Sequence, residues 1–207
     1  MIASERGEVG LAAGIGLLRA GASALDAVEA AVRVVESDED NHTVGVGGLP
    51  NLLGRVELDA SIMDGATRRA GAVAAVTGFP HPISIARAVC ERLPQHLLLT
   101  GAGAERFADE VGIERGPTLT DQARRRWRDG LSAAGIDAAE ARLGSGERAY
   151  RQRVLERLAA MGVPDGSWDT VNVLALDAAG NLAAGVSTSG YPWKYPGRPA
   201  RVAHPRP

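Results

Sequence analysis

The sequence predicts an α+β protein in which mainly antiparallel strands are covered by helices. Three observations support this fold class. Helical patterns open the chain, strand-like segments and further helices follow, and a pair of strands comes last. Apolar residues make up 45% of the 207 residues, which allows a sizeable core within a single domain. Because only 4% of the residues are aromatic, that core must depend on small side chains and close approach of the backbone.

The first part of the chain predicts a short strand and two helices. The segment "IAS" at Ile2 indicates a short entry strand. Apolar residues then recur at helical spacing over positions 8–20, and Gly21 ends that pattern. Ser23 and Asp26 have the spacing of a capping box, which predicts that a second helix begins there. Its apolar stripe consists of Leu25, Val28, Val32 and Val35.

The middle of the chain alternates strand and helix patterns. Two strand-like segments, "RVELDASIMDG" and "RAGAVAAVTG", precede a helix predicted over positions 82–93, with Pro82 in its first turn. We expect "HLLLTG" to be a buried strand and "AERFADEVG" to be a helix that ends at Gly112. Positions 114–165 form a charged excursion, which we expect to be helical and on the surface. Its arginine run, "RRRWRDG", is interpreted as a solvated helix face.

The last regular part is "GSWDTVNVLALDAAGNLAAGVSTSG", from Gly166 to Gly190. It predicts two strands joined by a turn over positions 177–181. The entry to this pair is unusual, because a charged Asp169 and a β-branched Thr170 stand at the start of a strand that is predicted to be buried. The last stretch, "GRPARVAHPRP" at positions 197–207, is rich in proline and arginine and predicts neither strand nor helix.

Several classes of function are disfavoured by composition. The net charge of −2 gives no electrostatic reason to expect nucleic acid or an anionic membrane as a partner. No apolar run approaches the about 20 residues that cross a bilayer, and the first ten residues lack the pattern of a signal peptide. We therefore expect a cytoplasmic protein. The single cysteine, Cys90, excludes an internal disulfide and a multi-cysteine zinc site.

The common site motifs are not matched, and no cofactor or metal is predicted. "GVGGLP" lacks the spacing of a dinucleotide-binding loop, and there is no phosphate-binding loop. "GVSTSG" is not a nucleophile elbow, because Ser189 stands where that motif needs glycine. Ser4 has no base nearby in the sequence. The acidic run "ESDEDN" is interpreted as a solvated helix end, and no histidines have the i, i+4 spacing of helical metal ligands; they are His42, His81, His96 and His204.

The pair Asp169-Thr170 has two interpretations. In the first, Asp169 ends a loop and Thr170 is simply a strand-forming residue. In the second, Thr170 becomes a nucleophile once the bond before it is cut, because an N-terminal threonine is activated by its own α-amine. The neighbouring Asp169 carboxylate is placed to assist an N→O acyl shift at that bond.

The surrounding segments resemble one family. "DTVNVLALDAAGNLAAGVSTSG…YPGR" looks like the start of the β-subunit of glycosylasparaginases (aspartylglucosaminidases), N-terminal-nucleophile hydrolases related to plant-type asparaginases and isoaspartyl peptidases. Earlier segments agree in the same order, among them "ALDAVEAAVRVVE", "TVGVGGLPN", "VELDASIMDG" and "HLLLTGAGAERFADEVG". The resemblance covers positions 2–198 apart from the charged excursion.

The resemblance implies a fold, a chemistry and a set of residue roles. The fold is an αββα sandwich of two stacked sheets between helical layers, assembled as a dimer of cleaved pairs. The chemistry is hydrolysis of the side-chain amide of asparagine derivatives. Thr170 is implied as the nucleophile, Asp169 as the residue that assists autoproteolysis, Thr188 as a supporting threonine, and Arg198 as the group that binds the substrate's α-carboxylate.

The sequence departs from the family pattern at three positions near these residues. Trp168 stands where the family commonly has histidine, and Asn172 replaces a glycine. Ser4 occupies a position where glycosylasparaginases can have a tryptophan in the pocket. The resemblance therefore implies glycosylated asparagine as substrate but leaves L-asparagine and β-aspartyl peptides open as alternatives.

The resemblance also predicts an organisation within the single domain 1–207. Positions 1–169 correspond to the α-subunit, with the excursion at 114–165, and positions 170–198 correspond to the start of the β-subunit. Positions 199–207 match no part of the family pattern. The family continues after the position of Arg198 with further substrate-binding and oxyanion residues, so we interpret the fold as incomplete through C-terminal truncation. An inactive truncated fragment is therefore a further alternative.

Overall fold

The computed structural model describes residues 1–137, Gln152, Glu156 and 170–200, and in this part of the chain the strands form one six-stranded sheet. The strands are β1 (Ile2–Ala3), β2 (Leu58–Asp64), β3 (Arg69–Val76), β4 (Leu98–Thr100), β5 (Val171–Leu176) and β6 (Leu182–Thr188). Their spatial order is β1-β5-β6-β2-β3-β4. All neighbours run antiparallel except β3 and β4, which are parallel. The α+β class with mainly antiparallel strands is thus confirmed.

Five helices belong to the same described part. They are α1 (Glu8–Arg19), α2 (Ala24–Glu36), α3 (Pro82–Arg92), α4 (Gly101–Glu110) and α5 (Asp121–Ala133). The predicted capping box is present, because the Ser23 hydroxyl accepts the Asp26 N–H at 3.1 Å while the Asp26 carboxylate accepts the Ser23 N–H. Pro82 lies in the first turn of α3, where its missing N–H costs nothing.

Helices α2 and α3 cover one face of the sheet, and the main core lies between them and the strands. The strand residues on this face are Ala60, Ile62, Val73, Val171, Val173, Ala175 and Ala183. Two glycines let the layers approach closely. A Cβ on Gly71 would lie 2.2 Å from the Ala86 carbonyl oxygen, and one on Gly185 would lie 2.5 Å from Val28 Cγ1. The expected dependence of the core on small residues is therefore confirmed.

The opposite face of the sheet carries exposed apolar side chains. Leu174 pairs with Ile2 on one side and with Ala184 on the other, and Ala184 pairs in turn with Met63. Leu174, Ile2 and Met63 are each about half exposed or more. The second sheet of the predicted sandwich is not among the described elements, and it stays a prediction.

The strand "HLLLTG" differs from expectation. The apolar run predicts a buried strand, but β4 is the edge strand of the sheet, and Leu97 and Leu98 are 54% and 37% exposed. β4 is paired with a strand on one side only, with β3, and of its leucines Leu99 packs against the main core.

The arginine run also differs in part. The sequence predicts a solvated face for helix α5, yet Trp127 in this run is 1% exposed and donates its indole N–H to the Asn51 carbonyl at 2.9 Å. Trp127 forms a second, smaller core with Leu52, Leu131 and Ile136. The arginines beside it are largely on the outside, so the helix is amphipathic. Most of the excursion after residue 137, together with Trp168 and Asp169, lies outside the described residues.

Candidate active site

The predicted nucleophile lies at the edge of the central hairpin. Thr170 immediately precedes β5, and Thr188 is the last residue of β6. The register pairs Val171 with Ser187, so its continuation by one residue places Thr170 opposite Thr188. Directly opposite residues in antiparallel strands have side chains on the same face with Cβ atoms about 4.5–5.5 Å apart. The structure thus brings together two of the predicted site residues, 18 positions apart in sequence.

The main chain of Thr170 is held by two neighbours. Its carbonyl oxygen accepts the Asn172 side-chain N–H at 3.0 Å and the Ser4 hydroxyl at 3.4 Å. The same Ser4 hydroxyl accepts the Asn172 backbone N–H at 3.1 Å, and the Ser4 N–H donates to the Asn172 carbonyl. Ser4 and Asn172, two of the residues that depart from the family pattern, therefore fix the position of the Thr170 backbone.

The hydroxyl of Thr188 is already oriented. Thr188 is 2% exposed, and its Oγ1 accepts the Gly190 N–H at 2.9 Å. A hydroxyl that accepts one hydrogen bond keeps its own O–H as a donor. Thr188 and Thr170 share one face of the sheet, so this donor lies on the side of the predicted nucleophile.

Arg198 lies in an irregular segment, residues 189–200, that passes over the same end of the sheet. Its guanidinium stacks on the Tyr191 ring at 4.3 Å from the ring centroid. Among the described residues, this guanidinium makes no hydrogen bond and no ion pair. Its donors are therefore available for a carboxylate, which suits the planar fork of arginine.

Residues 189–200 form no strand or helix, which was predicted from position 197 onward, and they are firmly anchored. The Ser189 N–H donates to Thr43 O at 2.6 Å, and the Trp193 N–H donates to Pro50 O at 2.9 Å. Trp193 has a φ of 56°, which is unusual for a bulky residue and persists only where the surroundings fix it. Its indole donates to the Trp127 carbonyl, and its ring fills the space beside Gly130, where a Cβ would clash. Residues 201–207 lie outside the described part.

A group of buried charges below this segment was missed by the sequence analysis. Glu57, Asp59 and Lys194 are at most 7% exposed. Asp59 pairs with Thr188 across β2 and β6 and accepts the N–H of Ala75, a residue at an irregularity of the β2–β3 register. Burial raises the pKa of Asp59, although the charges of Lys194 and Arg198 oppose this. The available sign in the sequence was Lys194 itself, the one lysine among 23 lysine and arginine residues.

A second buried acid lies under the hairpin. Glu36 at the end of α2 is fully buried and accepts the Ser187 hydroxyl at 2.7 Å and the Ile83 N–H at 3.2 Å. Its Oε2 lies 3.4 Å from His81 Nδ1, within ion-pair range but without hydrogen-bond geometry. Burial raises the pKa of Glu36, and the nearby His81 imidazole and the Ser187 hydroxyl oppose that shift. The interpretation of "ESDEDN" as a solvated helix end is therefore wrong for Glu36. The available sign was helical spacing, because position 36 follows Val32 by four residues and so lies on the apolar stripe of α2.

The described residues contain no cluster of three or more side chains suited to a metal ion. No described helix is both long and apolar enough to span a membrane. A cavity of about 750 Å³ lies among α1, α2 and α3 and is bordered by Glu29, Arg33 and Arg87. None of the predicted site residues borders it. The described polar side chains near this end of the sheet are hydroxyl, carboxyl and cationic groups.

Comparison with known proteins agrees with this arrangement. The model of the family Asparaginase_2, described as asparaginase, matches residues 8–203. The isoaspartyl peptidase/L-asparaginase of Mus musculus is 38% identical over 188 residues, which are 89% of this chain and 50% of the mouse protein. The isoaspartyl peptidase of Salmonella typhimurium is 38% identical over 88% of this chain and 53% of its own length.

A relative named for a different activity is similar to almost the same degree. The N(4)-(beta-N-acetylglucosaminyl)-L-asparaginase of Elizabethkingia miricola is 37% identical over 182 residues, which are 88% of this chain and 46% of that protein. The chain thus spans about half the length of the curated relatives it matches. Because the family model covers almost the whole sequence, the chain belongs to the asparaginase family of N-terminal-nucleophile hydrolases.

Proposed function

We propose that this protein hydrolyses side-chain amides of asparagine derivatives, with Thr170 as an N-terminal nucleophile. The observation that carries the proposal is the position of Thr170, opposite Thr188 and at the end of the sheet over which the segment with the unpaired Arg198 passes. Family membership supports the same chemistry.

The proposed maturation cuts the bond between Asp169 and Thr170. Thr170 Oγ1 attacks the carbonyl carbon of Asp169, the C–N bond breaks, and the departing nitrogen takes the hydroxyl proton. Water then hydrolyses the ester, leaving a carboxylate on Asp169 and a free α-amine on Thr170. Such an amine has an unperturbed pKa of about 7.7–8.0, so it can act as a base near neutral pH. The side-chain carboxylate of Asp169 assists the first step in this scheme.

The mature protein repeats the same chemistry on a substrate. The α-amine accepts the Thr170 hydroxyl proton while Oγ1 attacks the carbonyl carbon of the side-chain amide. The amine of the substrate leaves with that proton, and an aspartyl ester remains on Thr170. Water hydrolyses the ester and releases the acid. In this scheme Thr188 orients Oγ1, and Arg198 holds the α-carboxylate.

The substrate proposed first is glycosylated asparagine, as the resemblance of the β-subunit segment implies. A second candidate, an L-asparaginase or isoaspartyl peptidase, is favoured by a specific observation at Ser4. Where a pocket tryptophan can stand in glycosylasparaginases, this small side chain is instead committed to the Thr170 backbone. The mouse and Salmonella relatives, which are named as isoaspartyl peptidases, also favour this candidate. Assembly as a dimer of cleaved pairs is part of the same proposal.

The cleavage is tested by intact-mass analysis of the purified full-length protein. We expect one piece that ends at Asp169 and one that begins at Thr170. Thr170→Ala should abolish both pieces, while Thr170→Ser, which keeps a hydroxyl, should still cut. A single uncut wild-type species after long incubation would contradict the proposal.

The substrate is tested with three compounds: L-asparagine, a β-aspartyl dipeptide and a glycosylated asparagine. Turnover that is lost in Thr170→Ala would support amide hydrolysis, and the relative kcat/KM values would choose between the two candidates. No turnover of any compound by fully cleaved protein would count against it.

The role of Arg198 is tested by binding of L-aspartate. An arginine–carboxylate hydrogen bond contributes about 1.5–3 kcal/mol, so Arg198→Ala should raise the Kd by roughly tenfold or more. Arg106→Ala, at an exposed position of α4, is the matched control and should leave the Kd unchanged. An unchanged Kd in Arg198→Ala would refute this role.

A further inference from the structure

Lys194 is an unusual cation in this protein. Of the 23 lysine and arginine residues it is the one lysine, and its side chain is fully buried. Its ammonium donates to the Glu57 carbonyl oxygen at 3.1 Å and lies 3.9 Å from Asp59 Oδ2. The other 22 of these residues are arginines, and lysine is found at the position where the cation is fully buried.

The two acids beside Lys194 hold the main chain on both sides of Arg198. Both carboxylate oxygens of Glu57 accept the Gly197 N–H, at 3.0 and 3.1 Å. Asp59 Oδ2 accepts the Ala200 N–H at 2.6 Å. Because Glu57 and Asp59 are separated by one residue at the start of β2, their side chains lie on the same face of the strand. The rigid sheet therefore fixes the segment that carries the guanidinium.

The net charge of the four side chains Glu57, Asp59, Lys194 and Arg198 is zero only when the charge of Lys194 is counted. Glu57 and Asp59 are negative, and Lys194 and Arg198 are positive. Without Lys194, the nearest cation for the buried carboxylate of Asp59 would be Arg198, whose charge already acts on it. An Arg198 engaged in that way could not offer its donors to a ligand. In the structure its guanidinium instead stacks on Tyr191, and no residue of the described part of the chain accepts a hydrogen bond from it.

We propose that Lys194 is a positioning residue: it neutralises Asp59 so that Arg198 stays free to bind an anionic ligand. This inference rests on the proposed role of Arg198 as the carboxylate anchor. A buried ammonium serves the purpose because it is compact, whereas a guanidinium needs several acceptors in one plane.

The electrostatics of the group provide a pH-dependent test. The titratable and charged groups that act on Lys194 are Asp59, Glu57 and Arg198, and those that act on Asp59 are Lys194 and Arg198. Burial lowers the pKa of Lys194 and raises that of Asp59. Removal of the ammonium raises the pKa of Asp59 further, so the carboxylate becomes neutral as the pH falls. A neutral Asp59 no longer attracts Arg198.

The first experiment measures the Kd of L-aspartate for full-length Lys194→Met at pH 8 and pH 5.5. We expect the Kd to rise by about tenfold relative to wild type at pH 8, and by threefold or less at pH 5.5. If the substitution merely damaged the loop, Lys194→Met would lose the same affinity for L-aspartate at both pH values, and this result would overturn the proposal. A Kd of Lys194→Met equal to that of wild type at both pH values would also overturn it. Arg106→Met serves as the control for loss of one positive charge at an exposed site.

The second experiment is independent of any ligand. In a crystal structure of Lys194→Met at pH 8, we expect the Arg198 guanidinium within about 3 Å of the Asp59 carboxylate. If it remains on Tyr191, the inference is wrong. If Arg198→Ala binds aspartate as well as wild type does, the proposed ligand role of Arg198 is wrong. The positioning role of Lys194 is then tested by the crystal structure alone.

A third variant covers the case in which Lys194→Met does not fold. The double variant Lys194→Met, Asp59→Asn removes both charges, and we expect it to fold and to bind aspartate within threefold of wild type at pH 8. A tenfold loss in a folded double variant would overturn the proposal.

Discussion

At the scale of single residues, Ser4 and Asn172 define how the backbone of the proposed nucleophile, Thr170, is held. Both donate to the Thr170 carbonyl oxygen, and Ser4 also accepts the Asn172 N–H. A typical hydrogen bond contributes about 1 kcal/mol, which is roughly a fivefold change in a rate or equilibrium. We expect Asn172→Ala and Ser4→Ala each to slow the proposed cleavage by about fivefold.

The measurement is the half-time of the uncut precursor, followed by gel after rapid purification. Leu174→Ala, on the exposed face of the same strand, is the control and should cut at the wild-type rate. Equal half-times for all four proteins would show that these contacts do not set the cleavage geometry.

Glu36 provides a prediction about stability and pH. Its pKa is raised in the folded protein by burial. The folded state therefore holds the proton more tightly than the unfolded state, and the resulting stability is present at low pH and lost as the pH rises through the folded pKa. Glu36→Gln keeps an acceptor for Ser187 and removes the titration. In the wild type, the free energy of unfolding should fall from pH 5 to pH 8, and we expect this fall to be smaller in Glu36→Gln. The difference should be about 1.4 kcal/mol for each tenfold difference in the proton affinity of Glu36 between the folded and unfolded states.

Urea denaturation at the two pH values tests this expectation. Glu110→Gln removes an exposed carboxylate on α4 and should keep the wild-type pH dependence. A Glu36→Gln protein with the same pH dependence as wild type would mean that Glu36 does not titrate in this range.

At the scale of elements, two glycines allow the effect of close packing on stability to be measured apart from the effect of helix propensity. Gly71 in β3 faces α3, and a Cβ there would lie 2.2 Å from the Ala86 oxygen and 2.4 Å from the Cys90 nitrogen. Both atoms are backbone and cannot move without displacing the helix. We expect Gly71→Ala to lower the free energy of unfolding by about 1–3 kcal/mol.

Gly16 in α1 is the matched control. A Cβ at this exposed helical position meets nothing within 4 Å. Gly16→Ala should therefore raise the free energy of unfolding by about 0.5–1 kcal/mol, because alanine loses less conformational entropy in a helix. Thermal and urea denaturation of both variants provide the measurement, and a stable Gly71→Ala would refute the close approach of β3 and α3.

The elements also show which features of the fold and of the candidate site could be predicted from the sequence alone. The helix boundaries, the capping box at Ser23 and the hairpin that follows Thr170 are predictable because each depends on neighbours in sequence. Residues 57–59 and Lys194 could not be brought together in this way, since about 135 positions separate them and only the completed sheet places them in contact. Trp127 was misjudged because the arginines around it hid a single buried side chain.

At the scale of the whole molecule, the sheet order determines the fate of the two proposed pieces. Strands β5 and β6 belong to the second piece, yet they lie between β1 and β2 of the first piece and pair with both. We expect the cleaved pieces to elute together in size-exclusion chromatography without denaturant and to separate in 6 M guanidinium chloride. Separation under native conditions would contradict this arrangement of strands.

The same interleaving sets an order of events during synthesis. Ile2 pairs with Leu174, and β2 pairs with β6, so the first strands have no complete set of neighbours until the last ones leave the ribosome. At about 5–20 residues per second, β2 waits on the order of ten seconds for β6. Contacts of such high contact order form late and slowly. Because Thr170 meets Thr188 and Ser4 only at that stage, the proposed self-cutting is confined to chains in which β1, β5 and β6 have already paired, and the cut marks the assembly of these strands.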